Sequence, residues 1–143
     1  MTERLKDKVA LITGAAQGLG KEMAKSMMAE GAEVYISDIN KDQLDKTVKE
    51  LSCFGILLDV TKSEDWENAI NHIKEKSGSL NILVNNAGIG NGGDIESTDM
   101  DTWRLVHNVN LDSVFLGCKY SLPLMRDSGN GSIINISSMS GIV

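Results

Sequence analysis

Thr13-Gly14-Ala15-Ala16-Gln17-Gly18-Leu19-Gly20 joins two segments of different apolar period. Before it, Lys8–Thr13 is an unbroken apolar run without polar alternation; after it, Leu19, Met23 and Met27 recur every fourth residue until Gly31. The first pattern is that of a strand covered on both faces, and the second is that of an amphipathic helix. Glycines at such a junction permit a tight turn, a close approach of backbone to a phosphate and close packing of helix on strand. The N–H groups that open the helix offer a seat for an anion. A plain glycine-rich turn has the same composition, but the buried strand before it and the amphipathic helix after it favour the phosphate-binding reading.

The alternation continues outward. Further apolar runs at Glu33–Asp38, Phe54–Asp59, Leu80–Asn86 and Ser132–Ser137 read as strands. Between them lie helical stripes. Leu44, Val48 and Leu51 follow an Asn40-x-x-Gln43 cap, and Trp66, Ala69, Ile70 and Ile73 follow a Ser63 N-cap with Glu64 and Asp65 in the first turn. The longest stripe is Leu111, Val114, Phe115, Cys118, Leu122 and Met125, and Pro123 within it is expected to kink or shorten the helix. Right-handed crossovers leave a doubly wound parallel sheet with helices on both faces, an α/β Rossmann-like fold of about five strands in one domain spanning residues 1–143. Ligands of such sheets sit beyond the C-terminal strand ends, where strand order reverses.

Composition narrows the function. The 143 residues carry 14 Lys+Arg against 20 Asp+Glu, a net charge of −6 without a basic cluster, which argues against nucleic acid and anionic membrane as partners. No apolar run reaches the ~18 residues that span a bilayer, and the N-terminus has no signal-like apolar core, so the expected compartment is the cytoplasm. Cys53 and Cys118 belong to no CxxC pair and read as reduced structural residues. His72 and His107 lack the spacing and companions of a metal shell, so no metal is expected.

The strand ends carry the polar chemistry. Asp38, 18 residues beyond Gly20, ends the second strand, where a carboxylate can accept hydrogen bonds from both hydroxyls of an adenosine ribose. A 2′-phosphate would be repelled there, and the following loop holds Asn40 and Lys41 without an arginine, so the position reads NAD; an N-cap for the next helix is the alternative. Asp59-Val60 ends the third strand with a carboxylate able to accept an adenine amino group, and Asn85-Asn86-Ala87-Gly88 ends the fourth with a small pair that lets backbone pass close to a ribose. Ser137-Ser138 delivers hydroxyls to the same rim, though a serine there also serves as a turn residue.

Thr13-Gly14-x-x-x-Gly18-x-Gly20, Asp59, Asn85-Asn86-Ala87-Gly88, Asn110 in Val109-Asn110-Leu111 and Ser138 in Ile136-Ser137-Ser138 together resemble the short-chain dehydrogenase/reductase family in order and interval, over essentially the whole chain. The resemblance implies hydride transfer between a nicotinamide coenzyme and an alcohol or carbonyl substrate, a small molecule in either case. It implies that Ser138 orients the substrate oxygen and that Asn110, through its backbone at a helix kink, holds a water of a proton relay. Gly14, Gln17, Gly18, Leu19, Gly20, Asp38, Asp59, Val60, Asn86, Ala87, Gly88 and Val109 are implied to bind the coenzyme, with Asp38 matching the members that prefer NAD. Assembly into a homo-oligomer through the long helix, Leu111–Arg126, is a further implication.

One part of the family pattern is missing. Its general acid/base is a tyrosine in Tyr-x-x-x-Lys after the fifth strand, whereas the two tyrosines here, Tyr35 and Tyr120, have no lysine four residues on. The expectation is therefore the N-terminal portion of an enzyme, truncated before that motif and inactive by itself. The alternative is a catalytically inactive dinucleotide-binding or partner-binding module. A methyltransferase on a related sheet has no use for Asn85-Asn86-Ala87-Gly88 or Ser138.

Overall fold

The computed structural model describes residues 3–139. Five parallel strands, β1 (Val9–Thr13), β2 (Glu33–Asp38), β3 (Phe54–Leu57), β4 (Ile82–Asn85) and β5 (Ser132–Asn135), lie in the order β3-β2-β1-β4-β5. The helices are α1 (Gly18–Ala29), α2 (Lys41–Leu51), α3 (Ser63–Ser77), α4 (Met100–His107) and α5 (Ser113–Ser128), with a π-helical turn, Asn108–Asp112, between the last two. Strand order reverses between β1 and β4, so the expected doubly wound sheet and its switch point are both present.

Every residue of β1 is buried, and its side chains alternate between two cores. Val9 and Leu11 join Tyr35, Trp66, Ile73 and Leu83 on the α3/α5 face. Ala10 and Ile12 join Val34, Ile36, Leu44 and Val84 on the α1/α2 face. Burial on both faces explains why these strands read as continuous apolar runs. Trp66, fully buried, keeps its indole N–H satisfied by donating to the Val60 carbonyl at 2.9 Å.

Several local expectations are corrected. The strands are shorter than the apolar runs, so Asp59, Asn86 and Ser137 lie beyond β3, β4 and β5. Asn40 caps α2, accepting from the Gln43 N–H at 3.1 Å, but Ser63 is the first helical residue of α3 and not its cap, which is Lys62. Pro123 does not shorten α5, which runs on to Ser128. The large apolar stripe assigned to that helix is mostly not its core face, since Leu111, Phe115 and Leu122 are 60%, 64% and 41% exposed. The buried stripe is Ser113, Gly117, Ser121 and Leu124, with Met125. Small residues at intervals of four bring the helix backbone close to β4 and α3, where a Cβ on Gly117 would run into Asn85 Oδ1 and meet Trp66 Cη2 at 2.9 Å. Among the described residues, no helix is long and apolar enough to cross a membrane.

Candidate functional site

The site forms where the turn after β1 meets the loop after β4. Gly14 has φ +61°, and a Cβ there would lie 2.7 Å from Ala87 Cα, so only glycine permits this backbone and this contact. Thr13 Oγ1 accepts from the backbone N–H groups of Asn86 and Ala87, each at 3.0 Å. Asn86 Nδ2 donates in return to the Thr13 carbonyl at 2.9 Å and the Gly14 carbonyl at 3.0 Å. The strand-end polar residues thus lock one loop to the other and leave the rim above them shaped by backbone.

Gly18 opens α1 at φ +58° with nothing within 4 Å of a built Cβ, so its backbone borders open space at the helix N-terminus. Gly20 is buried one turn in, and a Cβ there would meet Ala15 Cα and Asn86 Nδ2, both at 2.7 Å. The turn therefore combines an open amide-bearing edge with a helix pressed onto the turn itself and onto Asn86, the combination a diphosphate needs.

Asp38, half-buried at the end of β2, accepts from the Ala16 N–H through Oδ2 at 3.2 Å and from the Asn40 N–H through Oδ1 at 3.0 Å. Two hydrogen bonds to different oxygens fix the carboxylate plane, and each oxygen keeps acceptor capacity. Asp59 is more fully committed: Oδ1 accepts from Thr61 N–H at 3.0 Å and Thr61 Oγ1 at 2.7 Å, while Oδ2 lies 3.5 Å from Lys62 Nζ. Burial pushes its carboxyl up, but the Thr61 hydrogen bonds and the Lys62 ammonium outweigh this and hold it below the usual carboxylate range.

A cleft of about 580 Å³ connects these groups. Of the residues named from the sequence for a coenzyme, all but Gly18 and Gly20 line it: Gly14, Gln17, Leu19, Asp38, Asp59, Val60, Asn86, Ala87, Gly88 and Val109. Ile39, Leu58, Ile89 and Leu105 line it as well and were not anticipated. Each follows or precedes a named residue, or lies one helical turn from one, as Leu105 does from Val109. Ile39 and Leu19 are 68% and 72% exposed on the cleft lining.

The two residues assigned to catalysis do not line this cleft. Asn110 falls in the π-helical turn, where the Ser113 N–H reaches back five residues to the Asn108 carbonyl. Its side chain clasps the loop after β4, donating from Nδ2 to the Ile89 carbonyl and accepting at Oδ1 from the Ile89 N–H, both at 2.8 Å. Ser138 is exposed, three residues past the end of β5 on the same C-terminal rim. Neither Tyr35 nor Tyr120 lines the cleft. Tyr35 is buried in β2 with its hydroxyl 2.6 Å from Ser77 Oγ, and Tyr120 lies on α5 in a groove against α3. Burial chiefly, with Glu33 adding to it, pushes the Tyr35 phenol up despite the opposing Ser77 hydrogen bond.

Residues 8–143 match the family described as short chain dehydrogenase. The chain belongs to that family. It is 44% identical over 147 residues to the 2,5-dichloro-2,5-cyclohexadiene-1,4-diol dehydrogenase LinX of Sphingobium indicum, with 99% of this chain and 59% of that enzyme covered. To the 3-beta-hydroxysteroid dehydrogenase of Comamonas testosteroni it is 42% identical over 143 residues, covering 98% of this chain and 56% of that enzyme. The crystal structure of the apo form of LigD from Sphingobium sp. strain SYK-6 superposes with a TM-score of 0.93 at 33% identity, covering 97% of this chain and 62% of LigD. The chain thus spans somewhat over half the length of each of these three proteins.

Proposed function

We propose that the cleft is the seat of NAD and that the protein serves the oxidation of a secondary alcohol on a carbocyclic ring, or the reverse reduction of its ketone. The observation that carries the coenzyme reading is the Asp38 carboxylate in the wall of the same cleft as the glycine turn, at the strand-order reversal. The glycine turn and the N-terminus of α1 would hold the diphosphate, and Asp38 the adenosine ribose. Leu19 and Ile39, with Val60, would cover apolar faces of the coenzyme. Asp38 disfavours a 2′-phosphate by charge, and the adjoining loop presents Asn40 and the already paired Lys41, 2.6 Å from Asp45. Bound there, the nicotinamide would supply the hydride acceptor or donor.

Ser138 is assigned to orienting the substrate oxygen. Asn110 is assigned to shaping the region between the coenzyme and that oxygen, through its clasp on Ile89 and its place in the π-helical turn. The ring-alcohol substrate class follows the two curated relatives, which act by name on a cyclohexadiene diol and on a hydroxysteroid. A homo-oligomer is supported by the exposed apolar residues Leu111, Phe115 and Leu122 of the long helical segment.

The test is turnover, measured on the chain extended through a Tyr-x-x-x-Lys segment. NADH formation should appear with cyclic secondary alcohols and stay well below that rate with NADP as acceptor. A second reading, a dinucleotide-binding module without chemistry of its own, is supported by the position of both tyrosines away from the cleft. Saturable NADH binding without turnover of any alcohol would favour that reading, whereas turnover would exclude it.

A further inference from the structure

The glycine turn is fastened from outside itself, at Ala16. That residue is fully buried, and both of its backbone polar groups bond to the neighbouring βα unit. Its N–H donates to Asp38 Oδ2 at 3.2 Å, and its carbonyl accepts from Thr47 Oγ1 at 2.6 Å and from Gln43 Nε2 at 3.3 Å. Thr47 is fully buried on α2, and Gln43 is half-buried one turn before it. The bonds close into a ring. Asn40 donates its N–H to Asp38 Oδ1, Gln43 donates its N–H to Asn40 Oδ1, and the Gln43 side chain returns to Ala16. Neither Gln43 nor Thr47 lines the cleft.

A planar trans peptide carries its C=O and the following N–H on opposite sides. Two donors on α2 that hold the Ala16 carbonyl therefore also fix the direction of the Gln17 N–H, which must point away from α2. We propose that Thr47, assisted by Gln43, is a positioning residue for diphosphate recognition: it orients the Ala16–Gln17 peptide so that the amides opening α1 are set before the ligand arrives. This rests on the reading of the cleft as a dinucleotide site. A threonine in the interior of a helix is otherwise unremarkable, and here its hydroxyl is spent on a neighbouring turn instead of its own helix.

The experiment compares ligands with and without phosphate on one set of purified proteins: wild type, Thr47→Val, Thr47→Ser and Gln43→Met. Affinities for adenosine, ADP and NADH are measured by calorimetry and NMR titration. Thr47→Val should weaken ADP and NADH about tenfold and adenosine less than about twofold, because the lost bond orients the phosphate amides and leaves Asp38 untouched. Thr47→Ser, which keeps the hydroxyl, should recover wild-type affinity, and Gln43→Met should show a smaller loss in the same direction. General loosening of the fold would weaken all three ligands together. An ADP-to-adenosine affinity ratio unchanged in Thr47→Val, or in Gln43→Met should the valine variant not fold, overturns the positioning role while leaving the coenzyme reading standing. A folded wild type that binds none of the three overturns the reading beneath it.

Discussion

Thr13 and Asn86 are bonded to each other twice, backbone N–H to hydroxyl at 3.0 Å and side-chain amide to carbonyl at 2.9 Å, across the point where strand order reverses. The pair keeps the ends of β1 and β4 at a fixed separation, and the floor of the cleft is built on it. Thr13 is nearly fully buried, and its hydroxyl is the partner of two N–H groups on the partly buried Asn86 and Ala87.

Thr13→Val preserves shape and removes that acceptor. Unfolding in urea should show a loss of about 1–2 kcal/mol, since two partly buried donors lose their acceptor at once. Thr13→Ser should stay within about 0.5 kcal/mol of wild type apart from the lost methyl. Equal stability of the valine variant would mean that the lock does not hold the loops.

Gly117→Ala sets two effects against each other. Alanine in a helix interior gains about 1 kcal/mol over glycine. The new Cβ, however, would run into Asn85 Oδ1, and Asn85 is itself held by the 2.8 Å bond that its Nδ2 donates to Asn135 Oδ1. Overpacking of this kind costs about 1–3 kcal/mol, so a net loss is expected in urea or thermal unfolding. A stabilised variant would show that α5 has room to move off the sheet.

Acid should loosen the start of α4. The Asp99 carboxylate accepts from the Thr102 N–H at 2.7 Å, and this bond, aided by the Thr102 side chain, holds its pKa below the ordinary carboxylate value. A folded value below the unfolded one means that the contribution is complete above the ordinary value, near pH 4, and is lost as pH falls through the lower folded value. Asp99→Asn keeps a capping acceptor without the titration, so its urea midpoint should fall less steeply than wild type below about pH 4. Parallel curves would remove Asp99 from the acid response.

Replacing Asp38 by alanine and Ile39 by arginine should weaken NAD and strengthen NADP, through loss of the ribose acceptor and gain of a phosphate partner. The ratio of the two dissociation constants reads the change directly. Asp38→Ala also frees the Ala16 and Asn40 N–H groups, so the double variant should bind NADP less tightly than the charge swap alone implies. An unmoved preference would show that Asp38 is not the ribose ligand.

What was legible in the sequence follows from period and from small residues at strand ends. Strands buried on both faces announce themselves as unbroken apolar runs, and the turn at Gly14, the acid at Asp38 and the Asn86-Ala87-Gly88 loop reach the same cleft. The long helical segment departs from its apparent stripe for a physical reason. Its core face is made of Ser113, Gly117 and Ser121, because the backbone packs too closely for larger side chains, so the conspicuous Leu111 and Phe115 face outward. Helix α4 buries no residue fully, and its Met100, Trp103 and Leu105 are all exposed, so no core position betrays it. The π-helical turn depends on an i to i−5 bond and on the Asn110 clasp to Ile89, a long-range pairing that spacing alone does not reveal.

The central claim is that the cleft above β1, β2 and β4 takes NAD. Isothermal titration of the folded protein with NADH tests it most directly. Saturable binding of one NADH per chain, displaced by ADP and weakened by Asp38→Ala, is the predicted result. Absence of any binding heat at several temperatures, in protein whose circular dichroism and cooperative unfolding show it to be folded, would contradict the account.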